Sequence, residues 1–201
     1  MAYGNFATYE EVALKFKIKF REESFIKQKP LVVDSALYQF IHDNLTTKRS
    51  YISENAICEA IIYPILSIVA KHHQLPLWSH IRLDISEEEG LMGVPDFIIA
   101  PASDIGTTFR NPIVCIAEAK RDNFNEGWAQ VLAEMIAAQK MNQDPSLGIF
   151  GIVTTGNFWQ FAKLEENIFT MEIISYSASE DLQQLFDLLN WLIMVAKKII
   201  L

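Results

Sequence analysis

The fold of this chain is decided by the stretch Gly93-Val94-Pro95-Asp96-Phe97-Ile98-Ile99-Ala100 and by a second apolar stretch, Pro112-Ile113-Val114-Cys115-Ile116-Ala117-Glu118-Ala119-Lys120. If both are strands, Glu118 and Lys120 project from the same face, because side chains alternate along a strand. Two carboxylates and one ammonium then lie at a common end of a hairpin. Such an arrangement can hold a divalent cation and activate water.

Composition favours one compact domain over residues 1–201, because half of the residues are hydrophobic and 21% are charged. Cys58 and Cys115 lie in apolar runs, which is typical of buried thiols in a reducing compartment. The N-terminus lacks a signal-peptide pattern, so we expect a cytoplasmic protein. The apolar stretch Leu185–Leu201 is interrupted by charges and falls short of a membrane span. It predicts a buried or interface helix and no membrane contact.

The formal net charge of −8 argues against broad, sequence-independent binding to nucleic acid. It leaves room for nucleic acid as a ligand, since a local basic strip or bound metal ions can offset an acidic site.

Two elements are predicted near the N-terminus. Val12–Arg21 alternates apolar and polar residues and predicts a half-exposed antiparallel strand. Its lysine-rich face is a solvated edge that discourages aggregation or, alternatively, a phosphate-facing strip. Asp34 is the predicted N-cap of a helix through about Leu45, whose inward residues are Leu37, Phe40 and Ile41.

The rest of the chain alternates between helical and extended patterns, which indicates a mixed α and β protein. Further helices are predicted from Ser53 to about His73 with a kink at Pro64, over Glu126–Met141, and from about Ser179 to the C-terminus. Strands are predicted over Leu77–Ile85, Gly93–Ala100, Pro112–Lys120, Leu147–Thr154, Asn157–Leu164 and Ile168–Ser175, with a tight turn at Thr155-Gly156-Asn157.

Asp96, Glu118 and Lys120 are the first candidate site residues. A carboxylate within an apolar strand is costly to bury unless it pairs or binds a cation. The Ala119 carbonyl would add a third oxygen ligand, and Lys120 would position or deprotonate the attacking water or stabilise developing charge. The structural alternatives are a loop-capping Asp96 and an ordinary Glu118–Lys120 ion pair.

Four further polar residues lie on the neighbouring predicted helices. Gln130 and Glu134 share one helix face, which can be directed toward the end of the Pro112–Lys120 strand. We interpret Gln130 as a group that orients the site, and Glu134 as part of a solvated polar face. Glu54 favours the helix dipole in the first helical turn. Glu59 lies on a different face, so only one of these two glutamates is expected to reach the site.

The histidines give no sign of catalysis in the sequence. His72 and His73 end a predicted helix, where cationic residues are favoured. His42 and His80 have no acidic or nucleophilic companion in the sequence, and no zinc spacing or nucleophilic triad is present.

Together, Pro95-Asp96, Glu118-Ala119-Lys120 and the following helical Gln130 resemble the motif of the PD-(D/E)XK nuclease superfamily. Ser53–Leu66 resembles the first helix in the N-terminal nuclease domain of type I restriction enzyme R subunits. Gly151–Phe161 resembles the strand, turn and strand that follow the catalytic helix there. The likeness covers a motif-bearing core of about residues 53–164.

The resemblance implies a restriction-endonuclease-like fold, with a central mixed sheet flanked by helices, and Mg²⁺- or Mn²⁺-dependent hydrolysis of DNA phosphodiester bonds. Asp96 and Glu118 would bind the metal, Lys120 would serve the water, and Gln130 would support the site. Glu54 matches the acidic residue of the first helix and is a possible further ligand.

The sequence also departs from this pattern. Glu134 stands where the family often has an aromatic residue, and Val12–Arg21 and the C-terminal helix lie outside the match. The leading hypothesis is a Mg²⁺-dependent DNA endonuclease. The alternative is a catalytically inactive nuclease fold that serves as a binding or regulatory module. Either would be compatible with a homodimer formed through the C-terminal helix.

Overall fold

A computed structural model of the protein describes residues 3–47 and 53–200. Within these residues the chain forms an eight-stranded mixed sheet with helices packed on both faces. This confirms the expected class, a mixed α/β fold with a central mixed sheet flanked by helices.

The helices are α1 (Tyr9–Phe16), α2 (Ser35–Thr46), α3 (Glu54–Ile57), α4 (Tyr63–His72), α5 (Phe124–Asn142) and α6 (Leu182–Lys197). A 3₁₀ turn covers Tyr3–Asn5, and a π-helical turn over Cys58–Ile62 joins α3 to α4. The strands are β1 (Lys19–Glu22), β2 (Leu77–Ser79), β3 (Leu83–Ser86), β4 (Leu91–Gly93), β5 (Phe97–Ile99), β6 (Cys115–Ala119), β7 (Ile149–Thr154), β8 (Phe158–Glu165), β9 (Ile168–Met171) and β10 (Tyr176–Ser177).

The main sheet has the order β1-β9-β8-β7-β6-β5-β2, with β10 paired to β8. The pairs β1–β9 and β6–β7 are parallel, and the other pairs are antiparallel. Strands β6 and β7 are buried along their whole length, as expected for strands that are covered on both faces. Helices α1 and α5 cover one face, and α2, α4 and α6 cover the other.

The prediction of a strand over Val12–Arg21 is wrong for most of that range. Its first half belongs to α1, and Lys17 ends this helix in a left-handed conformation. The extended part, Lys19–Glu22, is parallel to β9 and not antiparallel.

The alternating pattern was misleading because it also fits a helix. Val12 and Phe16 are four residues apart, so they share a helix face as well as a strand face. In the structure Val12 is buried, whereas Leu14, the apolar residue between them, is 75% exposed.

Helix α2 confirms Asp34 as an N-cap, since its carboxylate accepts hydrogen bonds from the backbone N–H groups of Ala36 and Leu37. The predicted inward face is only partly correct. Ile41 is buried, but Leu37 and Phe40 are exposed on the surface.

The predicted N-cap at Ser53 is also confirmed, because its hydroxyl accepts a hydrogen bond from the Ala56 N–H. From there the chain runs through α3 and the π-helical turn into α4, with Pro64 as the second residue of α4. Proline has no N–H to donate to the preceding turn, which favours an irregular helix at this point.

The predicted strand Leu77–Ile85 is in fact two strands. His80 adopts a left-handed conformation, with φ of 52°, directly after β2. The chain therefore turns out of the main sheet, and β3 pairs with β4 in a separate hairpin that contacts α5.

The strands predicted over Leu147–Thr154 and Asn157–Leu164 and the helix over Glu126–Met141 are confirmed. The strands predicted over Gly93–Ala100, Pro112–Lys120 and Ile168–Ser175 are shorter in the structure, where they cover Phe97–Ile99, Cys115–Ala119 and Ile168–Met171. Asp96 and Lys120 therefore lie just outside their strands. The turn at Thr155–Asn157 is closed by a hydrogen bond from the Thr155 N–H to the Phe158 carbonyl, and Gly156 has φ of 82°.

Helix α6 begins at Leu182 behind the N-cap Asp181, later than the predicted start near Ser179. Its apolar face is buried in the protein's own core, and Leu201 lies outside the described residues. None of the helices in the described ranges is both long and apolar enough to cross a membrane.

A buried carboxylate holds the N-terminal segment to the sheet. Glu172, which follows β9, accepts hydrogen bonds from the backbone N–H groups of Phe25 and Ile26 on one oxygen, and of Ile173 and Ile174 on the other. The segment that follows β1 is thereby fixed to the end of β9.

Gly127 sets the distance between α5 and the end of β6. A methyl group in place of its hydrogen would lie 2.6 Å from Cγ1 of Val153 and 3.0 Å from Cγ of Lys120. Because no side chain intervenes, the first turns of α5 lie directly over Lys120.

We predict that Gly127→Ala destabilises the protein by about 1–3 kcal/mol, although alanine favours helices, because the helix must move away from β6 and β7. Chemical denaturation measures the change. Gly148→Ala is a matched control, since its added carbon would have its nearest neighbour at 3.5 Å, an ordinary contact. Equal stability of the two variants would contradict this account.

Candidate active site

Asp96 and Glu118 meet where β5 begins and β6 ends. Because these strands are antiparallel, with Phe97 opposite Ala117, the start of one lies beside the end of the other. The Asp96 carboxylate accepts the Ala119 N–H at 2.8 Å, and the Glu118 carboxylate accepts the Asp96 N–H at 3.3 Å. Each carboxylate is therefore hydrogen-bonded to the backbone of the segment that carries the other.

Lys120 and Gln130 complete a hydrogen-bonded row on the α5 side of the sheet. The Lys120 ammonium lies 3.2 Å from Oε1 of Glu118 and donates to Oε1 of Gln130 at 3.1 Å. The Gln130 amide nitrogen donates in turn to Oε1 of Glu134 at 3.1 Å. The structure thus brings together Asp96, Glu118, Lys120 and Gln130, the four residues that the motif singled out.

The expectation of a solvated Glu134 is wrong. Its side chain is fully buried, and its Oε2 atom has no hydrogen-bond partner among the described residues. Helix α5 is buried on nearly every side between the sheet, α1 and the β3–β4 hairpin, so it has little room for a polar face toward solvent. Glu134 instead fixes the Gln130 amide so that its carbonyl oxygen faces Lys120.

His80 is a site residue that the sequence did not reveal. Its Nδ1 atom lies 3.5 Å from the Asp96 carboxylate, and its backbone N–H donates to the Asp96 carbonyl at 3.0 Å. The side chain is about half exposed, at the mouth of the site. The pairing of β2 with β5 explains this contact. Ser79 lies opposite Phe97, so His80, the residue after Ser79, lies beside Asp96, the residue before Phe97.

The site holds more carboxyl groups than its cations could balance if all of them were ionised. Burial raises the pKa of Glu118 to about 8, with the Asp96 carboxylate as the second cause. Burial also raises the pKa of Asp96, although the Ala119 N–H and His80 work against it. The pKa of Glu134 is raised by burial and by the charge of Glu118.

Lys120 remains a cation in this environment. Burial alone would lower the pKa of its ammonium group, but the adjacent Glu118 carboxylate outweighs burial and raises it. The ammonium therefore offsets part of the charge on the carboxylates.

Of the two glutamates in the first helical region, Glu54 is the one near the site. Its negative charge adds to the effect of burial on the pKa of Asp96, and it helps Glu118 to raise the pKa of Lys120. Glu59 exerts no such effect on these two groups and lines a separate cavity.

The residues present fit a hard divalent cation. Asp96, Glu118 and the Ala119 carbonyl offer oxygen donors, which Mg²⁺ and Mn²⁺ prefer. Within residues 3–47 and 53–200, no three acidic, histidine or cysteine side chains form a metal-binding group by themselves. Mg²⁺ commonly binds to one or two carboxylates and completes its shell with water and substrate phosphate.

Comparison with protein-family models and with curated protein sequences gives no match to this chain.

We predict that the metal-free protein loses stability as the pH rises from about 4.3, the glutamate pKa of an unfolded chain, through about 8, the raised pKa of Glu118. The folded state binds protons on Glu118 and Glu134 that the unfolded chain has lost, so the free energy of unfolding falls over this range. Glu134→Gln removes one of these groups, so its unfolding temperature should exceed that of the wild type at pH 8 and match it at pH 5.

Thermal unfolding in EDTA at both pH values measures this difference, and about 1 kcal/mol corresponds to roughly 2–4 °C in a domain of this size. Glu166→Gln, at an exposed turn, is the control and should follow the wild type. Parallel curves for Glu134→Gln and the wild type would show that folding does not change the pKa of Glu134 and would contradict this prediction.

Proposed function

We propose that this protein is a Mg²⁺-dependent endonuclease that hydrolyses phosphodiester bonds in DNA. The observation that carries the proposal is the pairing of the buried Glu118 with the partly buried Asp96 beside Lys120, at the end of a strand that is itself fully buried. A stable fold has no need to bury excess carboxylate charge, and a divalent cation would offset it. The likeness of residues 53–164 to PD-(D/E)XK nucleases supports the same reading.

The metal-binding role falls to the oxygen donors of the strand ends. Asp96, Glu118 and the Ala119 carbonyl would hold Mg²⁺ or Mn²⁺, and Glu54 adds negative charge nearby. When bound, such a cation polarises the phosphate and lowers the pKa of its water. The backbone N–H groups of Asp96 and Ala119 keep both carboxylates in place before the metal arrives.

Lys120 is the residue that would contact the attacking water and the phosphate. Its ammonium group has hydrogen-bond donors to position the attacking water and to stabilise negative charge that develops on the phosphate. Gln130 accepts one of its hydrogens and Glu118 another, which restricts the amine to one place at the strand end. Glu134 orients Gln130 from behind and does not contact the reacting atoms.

A nuclease-fold binding or regulatory module is the second candidate. The net charge of −8 favours it, because a protein with a net negative charge is repelled by the phosphates of DNA. This module would bind its partner without cleaving it and without needing a metal. The homodimer through α6 also remains a proposal. The buried apolar face of α6 gives it no support, because that face packs within the chain.

We predict that the protein cleaves supercoiled and linear DNA in Mg²⁺ or Mn²⁺ and does not in EDTA. Asp96→Asn should abolish cleavage and weaken Mn²⁺ binding in calorimetry, because it removes a charged oxygen ligand. Lys120→Ala should lower the cleavage rate by about 100-fold or more while Mn²⁺ still binds, because the lost group acts on the water and the phosphate.

Lys163→Ala is the matched control. Lys163 forms an ion pair with Glu165, two residues away, as Lys120 does with Glu118, but this pair lies at the surface, with an N–O distance of 2.8 Å. Its activity should equal that of the wild type. Absence of both Mn²⁺ binding and cleavage at neutral pH would favour the binding module. Undiminished cleavage by Lys120→Ala would refute the role given to that residue.

A further inference from the structure

A cavity of about 160 Å³ lies on the other side of β5 from Lys120, next to the candidate site. Two of its lining residues are immediate neighbours of site residues, since Phe97 follows Asp96 and Ser79 precedes His80. The residues that line it are Cys58, Glu59, Tyr63, Ser79 and Phe97.

The wall of this cavity is aromatic. The rings of the lining residues Tyr63 and Phe97 lie 6.3 Å apart between centroids. The ring of His80, the residue after Ser79, lies 6.1 Å from the Phe97 ring. Tyr63 is 42% exposed and also lines a neighbouring cavity, whereas Phe97 is buried, so the aromatic surface that a ligand can reach here belongs to Tyr63. Flat aromatic surfaces of this kind bind planar rings by stacking.

Two irregularities of the backbone flank the cavity. The π-helical turn Cys58–Ile62 contains both Cys58 and Glu59, and is closed by a hydrogen bond from the Tyr63 N–H to the Cys58 carbonyl. On the opposite side, His80 has φ of 52°, a conformation that residues other than glycine adopt rarely. Such features cost free energy and occur frequently at functional sites.

The surrounding charge excludes phosphate as the ligand. The acidic groups around the cavity are Glu54, Glu59, Asp96 and Glu118, and all four act on the buried Cys58 thiol, whose pKa burial and these charges raise to about 12. The thiol is therefore neutral, and an anion would be repelled. A ligand here must be uncharged or cationic, and must offer a hydrogen-bond donor to Glu59.

The size of the cavity restricts the ligand further. The volume of 160 Å³ is roughly ten times the ~10–15 Å³ that a cavity needs to hold one water molecule. This suits one single-ring base. A carboxylate accepts a hydrogen bond from the exocyclic amino group of cytosine, whereas thymine offers an oxygen at that position.

We infer that this cavity receives one unstacked pyrimidine base of the DNA strand whose phosphate lies at the candidate site, and that Glu59 makes it prefer cytosine to thymine. The inference rests on the proposed function, since it is DNA bound at Asp96 and Glu118 that would bring a base next to the cavity. It assigns Glu59 a role in specificity and Tyr63 a role in stacking.

The test uses uncharged deoxycytidine and thymidine as probes, with the full chain in EDTA, so that neither metal nor cleavage is required. Backbone amide signals of Ser79 and Phe97 in nuclear magnetic resonance spectra report binding. We expect deoxycytidine to bind about tenfold more tightly than thymidine, as one base-specific contact allows. Glu59→Gln should bring this ratio close to one, and Tyr63→Ala should weaken both nucleosides.

Glu59 is exposed, so its substitution should leave the fold intact, and Glu166→Gln should retain the wild-type preference. Equal binding of both nucleosides to the wild type, or no binding of either, would overturn the inference even if the protein cleaves DNA. Cytosine-selective binding by a protein that cleaves no DNA would support the cavity assignment and refute the endonuclease proposal. Cleavage rates on substrates rich in cytosine or thymine then test the preference in catalysis, and equal ratios for the wild type and Glu59→Gln would refute it.

Discussion

The site depends on two carboxylates that continue the backbone ladder between β5 and β6. Beyond the last strand pair, Phe97 with Ala117, the hydrogen bonds run from the Ala119 N–H to Asp96 and from the Asp96 N–H to Glu118. Each acid is held by the strand that carries the other. Replacement of either residue by one without a side-chain acceptor therefore leaves a backbone donor unpaired as well as removing an acid, and such a loss costs about 1–3 kcal/mol.

The second constraint is charge. Asp96, Glu118 and Glu134 face one ammonium, Lys120, in a region where burial makes every uncompensated charge expensive. Glu134 holds Gln130 by a hydrogen bond, which an apolar side chain at this position could not do. In this chain the support behind Lys120 is therefore polar, and it extends the hydrogen-bonded row into the core.

Local sequence patterns predicted the parts of the structure that local physics determines. The apolar run before Glu118 requires a buried strand, and the N-caps Asp34 and Ser53 begin their helices as expected. The helix over Val12–Phe16 was missed because its spacing satisfies both periods. The burial of Glu134 was not predicted, because a Gln and a Glu four residues apart are also typical of an exposed helix face.

His80 illustrates a limit of a different kind. It reaches Asp96 only because β2 pairs with β5 and the chain then turns through a left-handed residue. Neither the register of that pairing nor the conformation of His80 is visible in the residues around it. Contacts between distant segments are set by the packing of the whole sheet, and a single sequence gives them only where a known pattern supplies the pairing.

The parallel pairing of β1 with β9 has a consequence for how the chain assembles. Strands β5 to β8 and α5 come from one continuous stretch, residues 97–165, whereas β1 must find a partner that begins at Ile168, and Lys19 lies opposite that residue. The entropic cost of closing a loop rises with its length, and long-range strand pairs slow folding. We expect residues 97–165 to fold first, with the N-terminal arm docking last, when Glu172 is in place to accept hydrogen bonds from Phe25 and Ile26. During synthesis, β1 would thus stay unpaired until the stretch that contains β9 has left the ribosome.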